Sequence, residues 1–450
     1  MLNKTMTYTE LLDEAPMSGF LWLLLLGVLL AQVLDGMDYQ STAYALPLLI
    51  KQFHLSPVQA GTISSASNIG LLVGAFLFSV LSDRLGRRPI FMWLIGTYAF
   101  GTFLSAIAPN YVTMLVARGI AGFGIGAEFP IAFALLAEYS PVRYRHIFIP
   151  LGPACYSGGW IVAALLSLWL IPSFGWRSVY WAGVFPALMI IYVRQFLPES
   201  IRFLMLRGRT AEAGRVARAI ADRAGLRDVE LVPPPALAAS GVPSNTQRTL
   251  ILRTSFPGMV ALSLIYFFYF IQSFGINSWL PTIFVRQGYT LVRSFTYVLI
   301  ITAFTPIAQL VGAWLQDKVD RKYALLVTTS LGAVFFILFG LSFQLKSPIG
   351  LTVAFQALQT LLGGGVIAVL YTLGTELFPT SIRSLGMGIV TAFGRIGAII
   401  GPFALGVFLF FGAEISHIVY FFTIPLVVAA CLGLFLIKVD PRRKSLERIT

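Results

Sequence analysis

Five charged side chains stand inside long apolar stretches of this sequence: Asp35, Asp38, Arg118, Glu128 and Arg395. A charge at the centre of a membrane span costs on the order of 2.5–3.5 kcal/mol on insertion scales, so each needs a reason. Asp35 and Asp38 are three apart and share one helix face. Two like charges this close do not both ionise easily, which suits a group that takes up and gives up a proton. The alternative is a structural partner for an arginine. Glu128 follows the glycines Gly122, Gly124 and Gly126. Glycines let a neighbouring backbone come close, and the expected neighbour is the helix carrying the two aspartates. Glu128 is then a proton carrier or a substrate-facing acid. Arg118 lies ten residues earlier, on a different face at ~100° per residue. It is either a counter-ion to Asp35 or Asp38 or a substrate contact. Arg395 lies about 18 Å deeper in its helix than Arg383. A lone guanidinium there can grip a carboxylate with two hydrogen bonds.

Aromatic and amide side chains form the second group. Tyr156 and Trp160 are four apart on one helical face. Gln272, Phe274 and Asn277 fall in an aromatic run, 266–277, where amides are out of place against lipid. Tyr371 lies five residues before Glu376. Rings from three helices could sandwich a flat substrate ring, with Gln272 and Asn277 making hydrogen bonds.

The elements that must hold these residues follow from composition. The chain has 450 residues, 57% apolar and only 11% charged, against roughly 25% charged in an ordinary soluble domain. That excludes a soluble body, a disordered chain and a coiled coil. Twelve stretches are long enough to span a bilayer as helices: 20–46, 57–81, 89–109, 112–137, 147–170, 176–197, 257–281, 294–316, 323–344, 348–375, 383–411 and 415–437. The reading is an all-α integral membrane protein. Residues 1–197 form one six-helix half, 257–450 the other, and 198–256 a linker. The linker is expected to hold an amphipathic helix over 210–224 and a flexible stretch around Pro233, Pro234 and Pro235.

Net charge is +13, from 32 Lys and Arg against 19 Asp and Glu. Twenty-five of the basic residues lie on the side of the N-terminus and five on the other, with Arg118 and Arg395 inside spans. The positive-inside rule therefore predicts cytoplasmic termini and explains the basic excess without nucleic acid. Cys155 and Cys431 are expected as packing residues, and His54, His146 and His417 have no ligand spacing. Glu10, Asp13 and Glu14 argue against a cleaved leader. With no nucleophile–base pair, phosphate loop or metal cluster, neither an enzyme nor a cofactor is expected.

The halves repeat. Glu138-x-x-Pro141-x-x-x-Arg145 recurs 238 residues later as Glu376-x-x-Pro379-x-x-x-Arg383. Asp83-Arg84-Leu85-Gly86-Arg87-Arg88 has a counterpart at 317–322, where Asp320 replaces the glycine. Two parallel six-span repeats are a transporter architecture, with the substrate site near mid-membrane between them.

These motifs resemble the major facilitator superfamily along nearly the whole chain. Asp83–Arg88 is similar to its loop signature, Arg118-x-x-x-Gly122-x-Gly124-x-Gly126 to its span-4 signature, and Pro198-Glu199-Ser200 to that of its sugar and metabolite branches. Asp35-Gly36-Met37-Asp38 resembles the metabolite and aromatic-acid proton symporters. The runs 171–176, 273–275, 279–281 and 393–397 look most like bacterial niacin permeases, whose branch includes synaptic-vesicle transporter-like proteins. The resemblance implies a monomeric plasma-membrane importer working by alternating access and driven by protons. Spans 1, 4, 7 and 10 would line the cavity, with 2, 5, 8 and 11 beside them. Nicotinate or nicotinamide is the first substrate, another aromatic acid the second and a sugar the third. A membrane sensor without transport is the reading of a different class. The proton-coupling group would be Asp35, Asp38, Glu128 and Arg118. Asp83, Arg84, Arg87, Arg88, Glu138, Arg145, Glu376 and Arg383 would latch the inner face in the outward-open state, with Asp320 breaking the latch's symmetry.

Overall fold

A computed structural model describes residues 5–14, 16–226, 229–233, 245–378 and 383–436, and not every side chain within them; those of Asp83, His146, Asp317, Glu376 and Arg383 lie outside the description. Among the described residues twelve helices are long and apolar enough to span a membrane, beginning with Gly19–Phe53 and ending with Ile415–Leu434. They are numbered here in chain order.

Local chemistry sets where they start. Ser56 and Gln59 form a reciprocal cap at the head of span 2, with Pro57 at the first helical position. Asn110 caps span 4, accepting from the Thr113 N–H at 3.0 Å. Span 4 is not continuous: one helix ends at Ile125 and the next starts at Glu128. Pro130 has no N–H to give the Gly126 carbonyl, so the ladder breaks there and Glu128 opens the second segment.

Helix pairing follows close backbone approach. Spans 1 and 5 touch along Gly36 and Gly159: a Cβ on Gly36 would lie 1.9 Å from the Tyr156 carbonyl oxygen, and one on Gly159 would lie 2.1 Å from that of Val33. Gly36→Ala is therefore expected to force the two helices apart and cost about 1–3 kcal/mol. A wild-type melting temperature in detergent would contradict this contact. Gly122 and Gly126 pack on span 2, and Gly124 on span 3 at Tyr98. The expectation that these glycines admit span 1 is thus corrected; span 1 is instead admitted by the glycines it shares with span 5.

The halves meet through spans 1 with 7, 2 with 11, and 5 with 8. Where span 2 begins and span 11 ends the bundle is sealed. Gly61 faces the Pro402 backbone and Gly406 that of Pro57. Ser65 Oγ donates to the Ile399 carbonyl at 2.7 Å. Tyr44 meets Phe295 edge to face at 5.2 Å.

The linker holds a helix, Thr210–Arg223, and a strand, Glu230–Val232, which an all-helical reading does not anticipate. That strand pairs in parallel with Thr5–Thr7. Residues 234–244, expected to be flexible, lie outside the described residues.

Candidate functional site

Structure divides the buried charges into two unlike pairs. Arg118 and Asp38 form a salt bridge, Nη2 to Oδ2 at 2.9 Å, with both side chains completely buried. Thr102 donates to Asp38 Oδ1 at 2.6 Å, and Arg118 Nε reaches Ser67 Oγ at 3.4 Å. Arg118 also lies over the Tyr180 ring, 5.4 Å from its centre. This cluster ties spans 1, 2, 3, 4 and 6, and Asp38 has its charge answered.

Asp35 and Glu128 are the other pair. They lie side by side and fully buried, with Asp38 further off. Asp35 Oδ1 and both Glu128 oxygens lack a donor. Gln32 Nε2 stands 3.5 Å from Asp35 Oδ2, and its own Oε1 is unpartnered. Two ionised carboxylates offer each other only lone pairs. A proton on either one makes the hydrogen bond that the pair otherwise lacks.

A cavity of about 120 Å³ lies between the halves, small beside the ~300–1,000 Å³ of drug-sized sites. Tyr156, Trp160, Gln272, Phe274, Asn277, Tyr371 and Arg395 all line it. Its walls come from spans 5, 7, 8, 10 and 11. Spans 1 and 4, expected as lining, contribute none of the lining residues, because their acids are turned into the first half. Among the described residues no carboxylate pairs with Arg395, and Tyr39, Tyr156 and Tyr371 lie within electrostatic reach of it. Tyr39 connects cavity and acids. It hydrogen-bonds Asn68, meets Phe274 edge to face at 5.8 Å and lies within electrostatic reach of both Arg118 and Arg395.

One backbone and one side-chain partner fix two of the amides. Asn277 Nδ2 donates to the Ser273 carbonyl at 2.8 Å, leaving Oδ1 for a ligand. Gln309 Nε2 donates to Ser157 Oγ at 2.7 Å, joining the halves beside the cavity. Sequence reasoning missed Tyr39, Thr102, Ser157, Gln309 and Gln359. Polar residues of uncharged type recur along many spans, and only the contacts made in the packed structure single these out.

The motif residues near Arg84–Arg88 act within one half. Arg87 pairs with Glu138, and Ser200 Oγ donates to Glu138 Oε2 at 2.6 Å. Glu199 accepts from the backbone N–H groups of Arg87 at 3.0 Å and Arg88 at 3.3 Å, at the positive end of span 3. Gly86 permits this: its φ is +107°, and a Cβ there would lie 2.3 Å from Glu199 Oε2. Arg207 Nη2 donates to the Arg84 carbonyl at 3.3 Å. Arg145 pairs with Asp13, which sequence reasoning had set aside. The described partners of these residues thus lie in the first half and its linker, not across the inner face. In a bundle sealed at the opposite end, the halves do not meet here through them. Asp83, Glu376 and Arg383 side chains lie outside the described residues.

A family model described as sugar (and other) transporter matches residues 17–450. The chain belongs to that family. It is a transporter of the major facilitator superfamily and not an enzyme, and a multi-pass protein of the plasma membrane. The niacin transporter NiaP of Acinetobacter baylyi is 31% identical, over 97% of this chain and 98% of that one. The putative niacin/nicotinamide transporter NiaP of Bacillus subtilis is 30% identical, over 91% and 94%. The benzoate transport protein of A. baylyi is 26% identical, over 96% and 92%. Among solved structures, a D-xylose–proton symporter superposes with a TM-score of 0.74 at 17% identity, over 95% of this chain and 100% of that one. That likeness shows the fold alone.

Proposed function

We propose that this transporter imports a small aromatic acid or its amide, nicotinate or nicotinamide first, together with protons. The observation that carries the substrate reading is Arg395, a cation without a carboxylate partner among the described residues, in a small cavity walled by aromatic rings. A flat ring stacks between such walls while its carboxylate takes two hydrogen bonds from the guanidinium. Relatives named for niacin support the same reading. Those named for benzoate support the second, another aromatic acid. A sugar fits less well, since it offers neither a flat ring to the aromatic walls nor a planar carboxylate or carboxamide to Arg395.

Proton coupling is ascribed to Asp35 and Glu128. Asp38 is already neutralised by Arg118 and is poorly placed to exchange a proton. The excess of basic residues on one side supports cytoplasmic termini, and with the termini there the sealed end faces outward and the structure is inward-facing. Closing Arg87, Arg88, Glu138 and Arg145 against the second half, by way of Glu376 and Arg383, would belong to the outward-open state.

The test is uptake of labelled nicotinate into proteoliposomes with and without an inward proton gradient. Faster, concentrative uptake with the gradient is expected, and flux indifferent to it would contradict symport. Arg395→Lys keeps the charge and loses the bidentate grip, so nicotinate KM should rise about tenfold or more. An unchanged KM would remove Arg395 from the site.

A further inference from the structure

Three glutamines run from the interior of span 10 to the cavity. Gln356 Nε2 donates to Gln359 Oε1 at 2.9 Å, and Gln359 Nε2 donates to Gln272 Oε1 at 3.4 Å. All three are buried. Gln272 and Gln359 line the cavity, whereas Gln356 does not.

Direction matters in such a chain, because each amide has one accepting and one donating end. As it stands, the bond left unmade deep in the helix is to the Gln356 carbonyl. In this arrangement the chain runs toward the cavity, Gln272 Oε1 is occupied, and its Nε2 is the end left for a ligand.

We infer that Gln356, acting through Gln359, positions Gln272 as a fixed hydrogen-bond donor, so that the cavity selects an aromatic acid or amide with a lone-pair acceptor in its ring over one without. Building on the proposed function, this names the substrate class: aza-aromatic rather than plain benzoate-like. Arg395 on span 11 holds the carboxylate or carboxamide and Gln272 on span 7 reads the ring atom. A benzene ring leaves the Gln272 donor unanswered, and sites built for a hydrogen bond reject ligands that lack it. Gln356 is a positioning residue, since no cavity wall includes it.

The test compares KM and Vmax for nicotinate and benzoate in proteoliposomes for wild type, Gln356→Leu and Gln356→Met. Wild type is expected to prefer nicotinate. Each substitution should raise nicotinate KM roughly tenfold, the scale of one lost hydrogen bond, and leave benzoate KM and both Vmax values unchanged. A general packing defect would move both acids together, which would overturn the relay. So would a nicotinate-to-benzoate ratio that neither substitution shifts, and in that case the nicotinate reading stands. Wild-type uptake of benzoate without nicotinate, or of neither acid, would overturn both.

Discussion

Arg118→Leu is expected to cost the folded protein about 3–5 kcal/mol, because it leaves the Asp38 carboxylate buried with its cation gone. Thr102 alone remains to answer that charge among the side-chain contacts described, and one neutral hydrogen bond does not replace a guanidinium. The loss should appear as a large drop in melting temperature in detergent and in poor recovery of folded protein. The double variant Arg118→Leu with Asp38→Leu removes the stranded charge and should melt well above the single one, since a buried pair can be replaced by apolar side chains with little loss. A single variant that melts like wild type would show that Asp38 finds another partner, and the division of the acids into two pairs would fall.

Glu128→Gln is expected to separate transport from its driving force. The Asp35–Glu128 pair has oxygens without donors. Replacing one carboxyl by an amide supplies the missing N–H permanently, so no proton need bind or leave. Nicotinate uptake should then level off at the external concentration, with or without a proton gradient, while exchange of internal for external nicotinate continues. Asp35→Asn should behave alike, because either carboxyl suffices to hold or release the shared proton. Concentrative uptake by both variants at wild-type level would rule the pair out as the coupling site. Loss of exchange as well as accumulation would assign the pair to the substrate cavity rather than to the proton.

The two expectations differ in kind although all four residues are intramembrane charges. Arg118 and Asp38 complete each other, so losing one exposes an electrostatic debt and the fold suffers. Asp35 and Glu128 lack a mutual complement until a cation arrives, and the smallest one that fits between touching carboxyls is a proton. Burial makes both effects large, because low polarity strengthens every unanswered charge.

Much of the cavity was legible in the residues alone. Tyr156, Trp160, Gln272, Phe274, Asn277, Tyr371 and Arg395 are anomalies of type or spacing within apolar runs, and the fold brings all of them to one place. Their neighbours Gln309 and Gln359 carry no such mark, and Gln356 lies a full turn behind the wall. The partners that Arg87 and Arg145 take in this state were not legible, for another reason. The motif identifies which residues are charged, but the partner chosen depends on which end of the bundle is closed.

Twelve spans, two repeated halves, the sidedness of the basic residues and the five charges needing reasons were determined by the sequence itself. Those properties are local: helix length against bilayer thickness, and charge against hydrocarbon, can be read one segment at a time. Which acid faces Arg118, which helices the glycines admit and which end of each amide meets the cavity were decided only by the tertiary structure. They depend on the rotation of separate helices about their own axes, and in span 4 on the break at residues 126–127 just ahead of Glu128. A stretch of chain does not carry that angle; packing against the other spans sets it.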